Sequence, residues 1–189
     1  MVTSNADRFI VLTGGPGSGK TTLLDALEAS GFARTTEAGR AIIQDQLSIG
    51  GHALPWDDRA QFAELMLSYD MRSYRMAETL SGAVFFDRSV VDVLGYLRLV
   101  GLPVPPHLER ATQALRHNSK VFIAPPWREI FQQDQERKQN FNEAIRTFDA
   151  LTDAYQDCGY ELVELPRASV AERVDFMLQS LPLLNSLRR

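Results

Sequence analysis

The sequence is poor in the features that mark several large classes of protein. It holds a single cysteine, Cys158, so neither an intrachain disulfide nor a cysteine zinc cluster can form. No apolar run is long enough to span a bilayer. Met1 to Asp7 is short and polar and lacks the basic and apolar parts of a signal peptide. A soluble, reducing compartment, the cytoplasm, is the expected setting. Positive charge is not in surplus: the formal charge of −4 creates no broad basic field, so nucleic acid is not the default partner, though a local basic groove stays open. His52, His107 and His117 show no metal-ligand spacing and read as surface residues. There is no Asn-Lys-x-Asp guanine signature, no internal repeat and no low-complexity linker. What remains is an ordinary globular composition over 189 residues, a length that suits one domain, residues 1–189, with a sizeable core.

The strongest signal present is Gly14-Gly15-Pro16-Gly17-Ser18-Gly19-Lys20-Thr21-Thr22, which fits G-x-x-x-x-G-K-[ST]. Arg8 to Thr13 before it reads as a buried parallel strand. Leu23 to Ala29 after it reads as a helix stopped by Gly31. A helix start offers unpaired N–H groups and the positive end of the helix dipole to a phosphate chain. Glycines let the backbone curl round it. Gly15 to Thr22 would thus cradle ATP, with Lys20 on the β- and γ-phosphates and the Thr21 hydroxyl on Mg²⁺. The plain alternative is a Gly-rich turn before an ordinary helix, and the flanking strand and helix argue against it.

Further along, Ala33 to Thr36 is a short second strand and Ala41 to Leu47 a helix broken at Gly50-Gly51. Asp57 reads as the cap of a long helix to Leu80, with Phe62, Met66, Tyr69, Ser73, Met76 and Leu80 as its buried stripe. Ala83 to Phe86 is a third strand, Val90 to Val100 and His107 to Arg116 are helices, and Lys120 to Ala124 is a fourth strand. Phe141, Ile145, Phe148, Leu151 and Tyr155 mark an amphipathic helix. Tyr160 to Leu165 is a fifth strand, and Ser169 with Glu172 forms a capping box opening the last helix, where Val174, Leu178 and Leu181 face inward. Strands alternating with helices predict an α/β fold of parallel β-α units with helices on both sheet faces. Ligands in such sheets bind beyond the carboxyl ends of the strands. Lys20, Glu37, Asp87, Arg88 and the segment after Ala124 all follow strand ends and should meet in one cleft.

Each of these residues has a chemical and a bland reading. Asp87 ends an apolar strand as an acid that orients Mg²⁺ does, or is a turn Asp. Arg88 would lie near the transferred phosphate, or form a structural ion pair. Glu37 would take the proton of, or anchor, a substrate hydroxyl, or serve a helix start. Arg40 would hold an anionic substrate or pair with Glu37. Residues 127–138, carrying Arg128, Arg137 and Lys138, form a basic lid over the phosphates, or a solvated helix laced with Glu129, Asp134 and Glu136. Trp56 and Trp127 flank candidate cleft segments, where they would stack on a base or pack, packing being the commoner role for Trp.

The sequence resembles the AAA_28 group of predicted P-loop ATPases, close to nicotinamide riboside kinase and deoxynucleoside kinase-like domains. Gly14 to Thr22, Glu37-Ala38-Gly39-Arg40, Phe85-Phe86-Asp87-Arg88-Ser89 and Pro126-Trp127-Arg128 through Glu136-Arg137 carry the resemblance. It implies a three-layer P-loop NTPase fold, a five-stranded parallel sheet of order 2-3-1-4-5 and a lid at Trp127. The leading functional expectation is a small-molecule kinase using ATP and Mg²⁺, with Lys20, Glu37, Asp87, Arg88, Arg128 and Arg137 at its site. The alternatives are a nucleotide-dependent ATPase or switch acting on a protein or nucleic-acid partner, and a nucleotide-binding module without turnover.

Overall fold

A computed structural model describes residues 4–131 and 140–181. Its centre is a five-stranded parallel sheet in the order β2-β3-β1-β4-β5, formed by β1 (Phe9–Gly14), β2 (Ala33–Arg34), β3 (Val84–Asp87), β4 (Lys120–Ala124) and β5 (Glu161–Glu164). Every residue of β1 is buried, because β1 lies inside the sheet and both its faces are covered. Alternation along it sends Phe9 and Val11 into one core cluster and Ile10 and Leu12 into the other.

The second of these clusters is completed by Leu23, Leu24 and Leu27 of α2 (Lys20–Ala29) and by Val174 and Met177 of α8 (Val170–Gln179). The first is completed by α4 (Arg59–Glu78), α5 (Val90–Leu99) and α7 (Phe141–Asp157) through Leu67, Tyr74, Leu94, Leu97 and Tyr155. A smaller cluster of Ile42, Ile43, Leu54 and Phe62 joins α3 (Ala38–Ile49) to α4. The remaining helices are α1 (Asn5–Arg8) and α6 (Pro106–Ala114). In α5, a Cβ on Gly95 would fall 2.8 Å from the Leu151 side chain. Glycine inside a helix costs ~1 kcal/mol, but here it lets α7 lie close enough to bring Tyr155 to the head of α5.

Several local expectations are corrected. Asp58, not Asp57, caps α4 by accepting from the Gln61 N–H, while Asp57 meets His52 at 2.7 Å. The buried face of α4 is Phe62, Ala63, Leu67, Asp70, Tyr74 and Ala77. Met76 and Leu80 are 58% and 44% exposed. The helix is rotated by one position from the stripe read off its large side chains, because small Ala63 and Ala77 allow close approach where Met76 would not. His117 is buried rather than superficial, enclosed by Phe9, Tyr74 and Phe86 rings. The Ser169–Glu172 capping box is present as expected.

Candidate active site

Between β1 and α2 the chain turns through left-handed Gly17 and Gly19, at φ 69° and 78°. Gly17 is needed on a second count, since a Cβ there would lie 2.6 Å from the Phe131 ring. Lys20 is buried, and its Nζ donates to the carbonyls of Gly14 and Gly15 at 3.0 and 2.9 Å. Ser18 Oγ donates to the Gly15 carbonyl at 2.8 Å. The ammonium thus rests on neutral carbonyls of its own loop, which a phosphate oxygen would outcompete by charge. Thr21 and Thr22 are exposed at the start of α2. A residue not foreseen backs the loop from α8: Arg173, 2% exposed, donates from Nη2 to the Ser18 carbonyl at 3.3 Å. Its Nε has no hydrogen-bond partner among the described residues, and burial lowers its pKa.

At the end of β3 stands Asp87, 4% exposed, with Oδ1 lacking any hydrogen-bond partner among the described residues. Burial first, and then the charge of Glu37, raise its pKa to about 6 against the opposing pull of Lys20 and Arg88. Arg88 takes φ 73°, a left-handed conformation that costs a non-glycine residue ~1–3 kcal/mol. Three contacts hold it there. Its N–H donates to the Leu12 carbonyl at 3.1 Å, Nε to Glu37 at 3.1 Å and Nη1 to Asp92 at 3.0 Å. Burial alone would lower the Arg88 pKa, but Glu37, Asp92 and Asp87 outweigh it and raise it.

Glu37 occupies the N-cap position of α3 without capping it. Its carboxylate faces Arg88 instead, with Arg40 at 4.0 Å. Asp92, also unforeseen, is the anchor of the group: it accepts from Thr13 Oγ1 at 2.5 Å, Tyr155 OH at 2.6 Å, the Ser89 N–H at 3.0 Å and Arg88. The Ser89-x-x-Asp92 spacing, a capping box at the head of α5, is the signal that marks it in the sequence.

A cavity of about 550 Å³ opens beside this network. Pro16 of the loop, Glu37, Arg88 and Asp92 stand in its wall, with Phe62, Met66 and Asp70 of α4 and Tyr96 of α5. Trp56, expected to pack, is 56% exposed and forms part of the wall as well. Lys20, Asp87 and Arg128 do not line it. Arg128 instead lies 4.2 Å over the Phe141 ring, and Phe131 packs edge-on against the same ring at 5.4 Å. The start of the expected lid is thereby tied to α7 and to Gly17. Arg137 and Lys138 lie outside the described residues. No group of three or more His, Cys, Asp or Glu side chains could hold a metal ion among the described residues. An ion here would depend on nucleotide phosphates with Thr21 and Asp87, and the unpartnered Asp87 Oδ1 fits that demand.

The model of the AAA_28 family, described as an AAA domain, matches residues 9–173. The chain belongs to the AAA_28 family. Among curated proteins none matches it. Among solved structures, this AAA_28 chain is similar to a deoxyadenosine kinase from M. mycoides solved with the products dCMP and dCDP, at TM-score 0.66 and 11% identity over 92% of this chain and 98% of that one. The same enzyme with bound dATP matches at TM-score 0.56, with 11% identity over 92% and 99% of the two chains. NadR in complex with NR matches at TM-score 0.69 and 18% identity over 93% of this chain and 50% of that one. At identities this low the likeness is one of fold, and the strand order expected from the resemblance, 2-3-1-4-5, is the one observed. No helix among the described residues is long and apolar enough to cross a membrane.

Proposed function

We propose that this AAA_28 protein is an ATP-dependent kinase that moves the γ-phosphoryl group to a hydroxyl of a small, nucleoside-like acceptor. The observation that carries the reading is the cavity of about 550 Å³ that has Pro16 of the phosphate loop, Glu37 and Arg88 together in its wall. A nucleotide switch or a simple ATPase needs no acceptor-sized space there. The similar folds named for deoxyadenosine kinase and NadR support the same reading.

In this mechanism Gly15 to Thr22 holds the phosphates and Lys20 exchanges its carbonyl partners for the β- and γ-phosphates. Mg²⁺, held through Thr21 and Asp87, would neutralise phosphate charge as it passes to the leaving group. Glu37, held by Arg88, orients the acceptor hydroxyl and takes its proton. The acceptor O–P bond forms as the bond between the γ-phosphorus and the β,γ-bridging oxygen breaks, and ADP leaves. Arg88 stands where charge develops on the transferred group. Arg128 would belong to the segment closing over the phosphates.

The test is Glu37→Gln. ATP affinity should stay within about threefold, under ~1 kcal/mol, while acceptor phosphorylation falls by at least ~10² and slow background hydrolysis survives. Acceptors come from a screen of acceptor-stimulated ADP release on the purified chain. Phosphorylation by Glu37→Gln at the wild-type rate contradicts the role of Glu37. Release stimulated by a protein or nucleic acid instead of any small acceptor contradicts the kinase reading.

A further inference from the structure

Two polar residues of the same cavity wall, Asp70 and Tyr96, have side-chain oxygens with no partner among the described residues. Asp70, on the inward face of α4, is 9% exposed and lines the cavity, yet no hydrogen bond or ion pair reaches its carboxyl group among the described residues. Tyr96 on α5 also lines the cavity, and its hydroxyl is buried with no hydrogen-bond partner among the described residues. A buried carboxyl without partners is costly to keep, and Ala, Leu or Met at position 70 would complete the apolar face that Phe62, Leu67 and Tyr74 begin. Its presence asks for a ligand.

The surroundings say which kind. Burial raises the Asp70 pKa well above the ordinary range, Asp92, Asp87 and Glu37 add to it, and Arg88 opposes them. Arg88 has no charge to spare, because it already meets both Glu37 and Asp92. The inner end of the cavity therefore holds more carboxylate than cation. Arg59 and Arg146 also stand in the wall, but both are exposed, and solvent screens charges of that kind. Phe62 and Tyr96, packed edge to face with centroids 5.6 Å apart, add two aromatic rings to the wall.

We propose that Asp70 and Tyr96 select the acceptor: it carries an N–H-rich, cationic or readily protonated head on a flat ring, which donates to Asp70 and Tyr96, and anionic heads are rejected. The proposal rests on the cavity being the acceptor site. It deepens that reading from any nucleoside-like hydroxyl compound to one bearing an amino- or amidine-type group. A carboxylate opposite such a group forms the charge-assisted, two-pronged pair that planar N–H donors favour. An anionic head would meet Asp92 and Glu37 with like charge, the repulsive element on which specificity depends, whereas a cationic one draws the Asp70 carboxyl into its charged form.

The experiment uses three probes of nearly one shape, benzamidine, benzamide and benzoate, titrated into the whole purified chain and followed by ligand-observed NMR. Benzamidine should bind about tenfold more tightly than benzamide, and benzoate more weakly than both. Asp70→Asn, close in shape to the parent, should bring benzamidine and benzamide within about threefold of each other. Tyr96→Phe should weaken benzamidine while keeping the order. Thermal melts establish that both variants are folded, and either variant alone suffices if the other is not. Benzoate binding as tightly as benzamidine, an order unchanged in Asp70→Asn, benzamidine affinity untouched by Tyr96→Phe, or no binding by any probe overturns the proposal. None of these readouts needs turnover, so failure here is distinguishable from failure of the kinase reading, which Glu37→Gln decides.

Discussion

Asp87 and Asp92 sit five residues apart, on either side of the same strand-to-helix turn, and are 4% and 7% exposed. They differ in what they touch. Asp92 accepts from a threonine, a tyrosine, a backbone N–H and an arginine. Asp87 keeps one oxygen with no donor among the described residues, and its pKa rises to about 6. The fold gives its nearby donors to Asp92 and leaves Asp87 Oδ1 without one among the described residues. A satisfied buried acid holds structure in place, because removing it orphans its partners. An unsatisfied one costs stability in the empty protein and is kept for what it meets when a ligand arrives. Asp70, in the cavity wall, belongs with Asp87.

The comparison is broken most forcefully at Asp92. Asp92→Ala leaves Arg88 with half its carboxylate partners and strips Thr13 and Tyr155 of an acceptor. Removing one partner of a buried ion pair costs ~3–5 kcal/mol, so this variant should show a large loss in chemical denaturation. A change below ~1 kcal/mol, the range of an exposed pair, would place Asp92 outside the support of the site.

His117 offers a second kind of bare buried group, one that does not line the cavity. Neither ring nitrogen has a hydrogen bond among the described residues. Burial first, and then Arg116, lower its pKa to about 3, and the Leu115 backbone offsets part of that. A depressed folded-state pKa gives stability that is present above the unfolded value near 6.5 and lost as pH falls toward about 3. The loss should approach ~3 kcal/mol by about pH 4.5. His117→Phe, which suits the enclosing rings, should flatten stability over that window in urea titrations. A slope identical to the parent's would assign acid sensitivity to other groups.

These contrasts also show what the sequence carried. Strand β1, the phosphate loop and α2 were legible because each rests on local pattern: an apolar run, glycines at fixed spacing and a lysine opening a helix. Glu37 and Arg88 were nameable as strand-end residues, but their 3.1 Å contact depends on how α3 meets β3. Asp70 escaped because the face of α4 was placed by its large side chains, and the true face, carrying Ala63 and Ala77, is set by packing against α5 and the sheet. His117 escaped because a histidine flanked by Arg116 and Asn118 looks polar, whereas the rings around it come from β1, α4 and β3.

The central claim, that bare acids are held at a cost for a ligand while satisfied ones hold the fold, is tested most directly by melting Asp87→Asn and the parent side by side across pH. The Asp87 pKa is raised in the folded state, so its carboxyl favours folding below the unfolded value of 3.8 and that contribution is lost as pH rises through about 6. Asp87→Asn should therefore be the more stable protein near neutral pH, by about 3 kcal/mol, and should match the parent at about pH 4. Its Mg²⁺-dependent nucleotide binding should be weakened at the same time. A variant less stable than the parent at every pH, or equally responsive to Mg²⁺, would contradict the account.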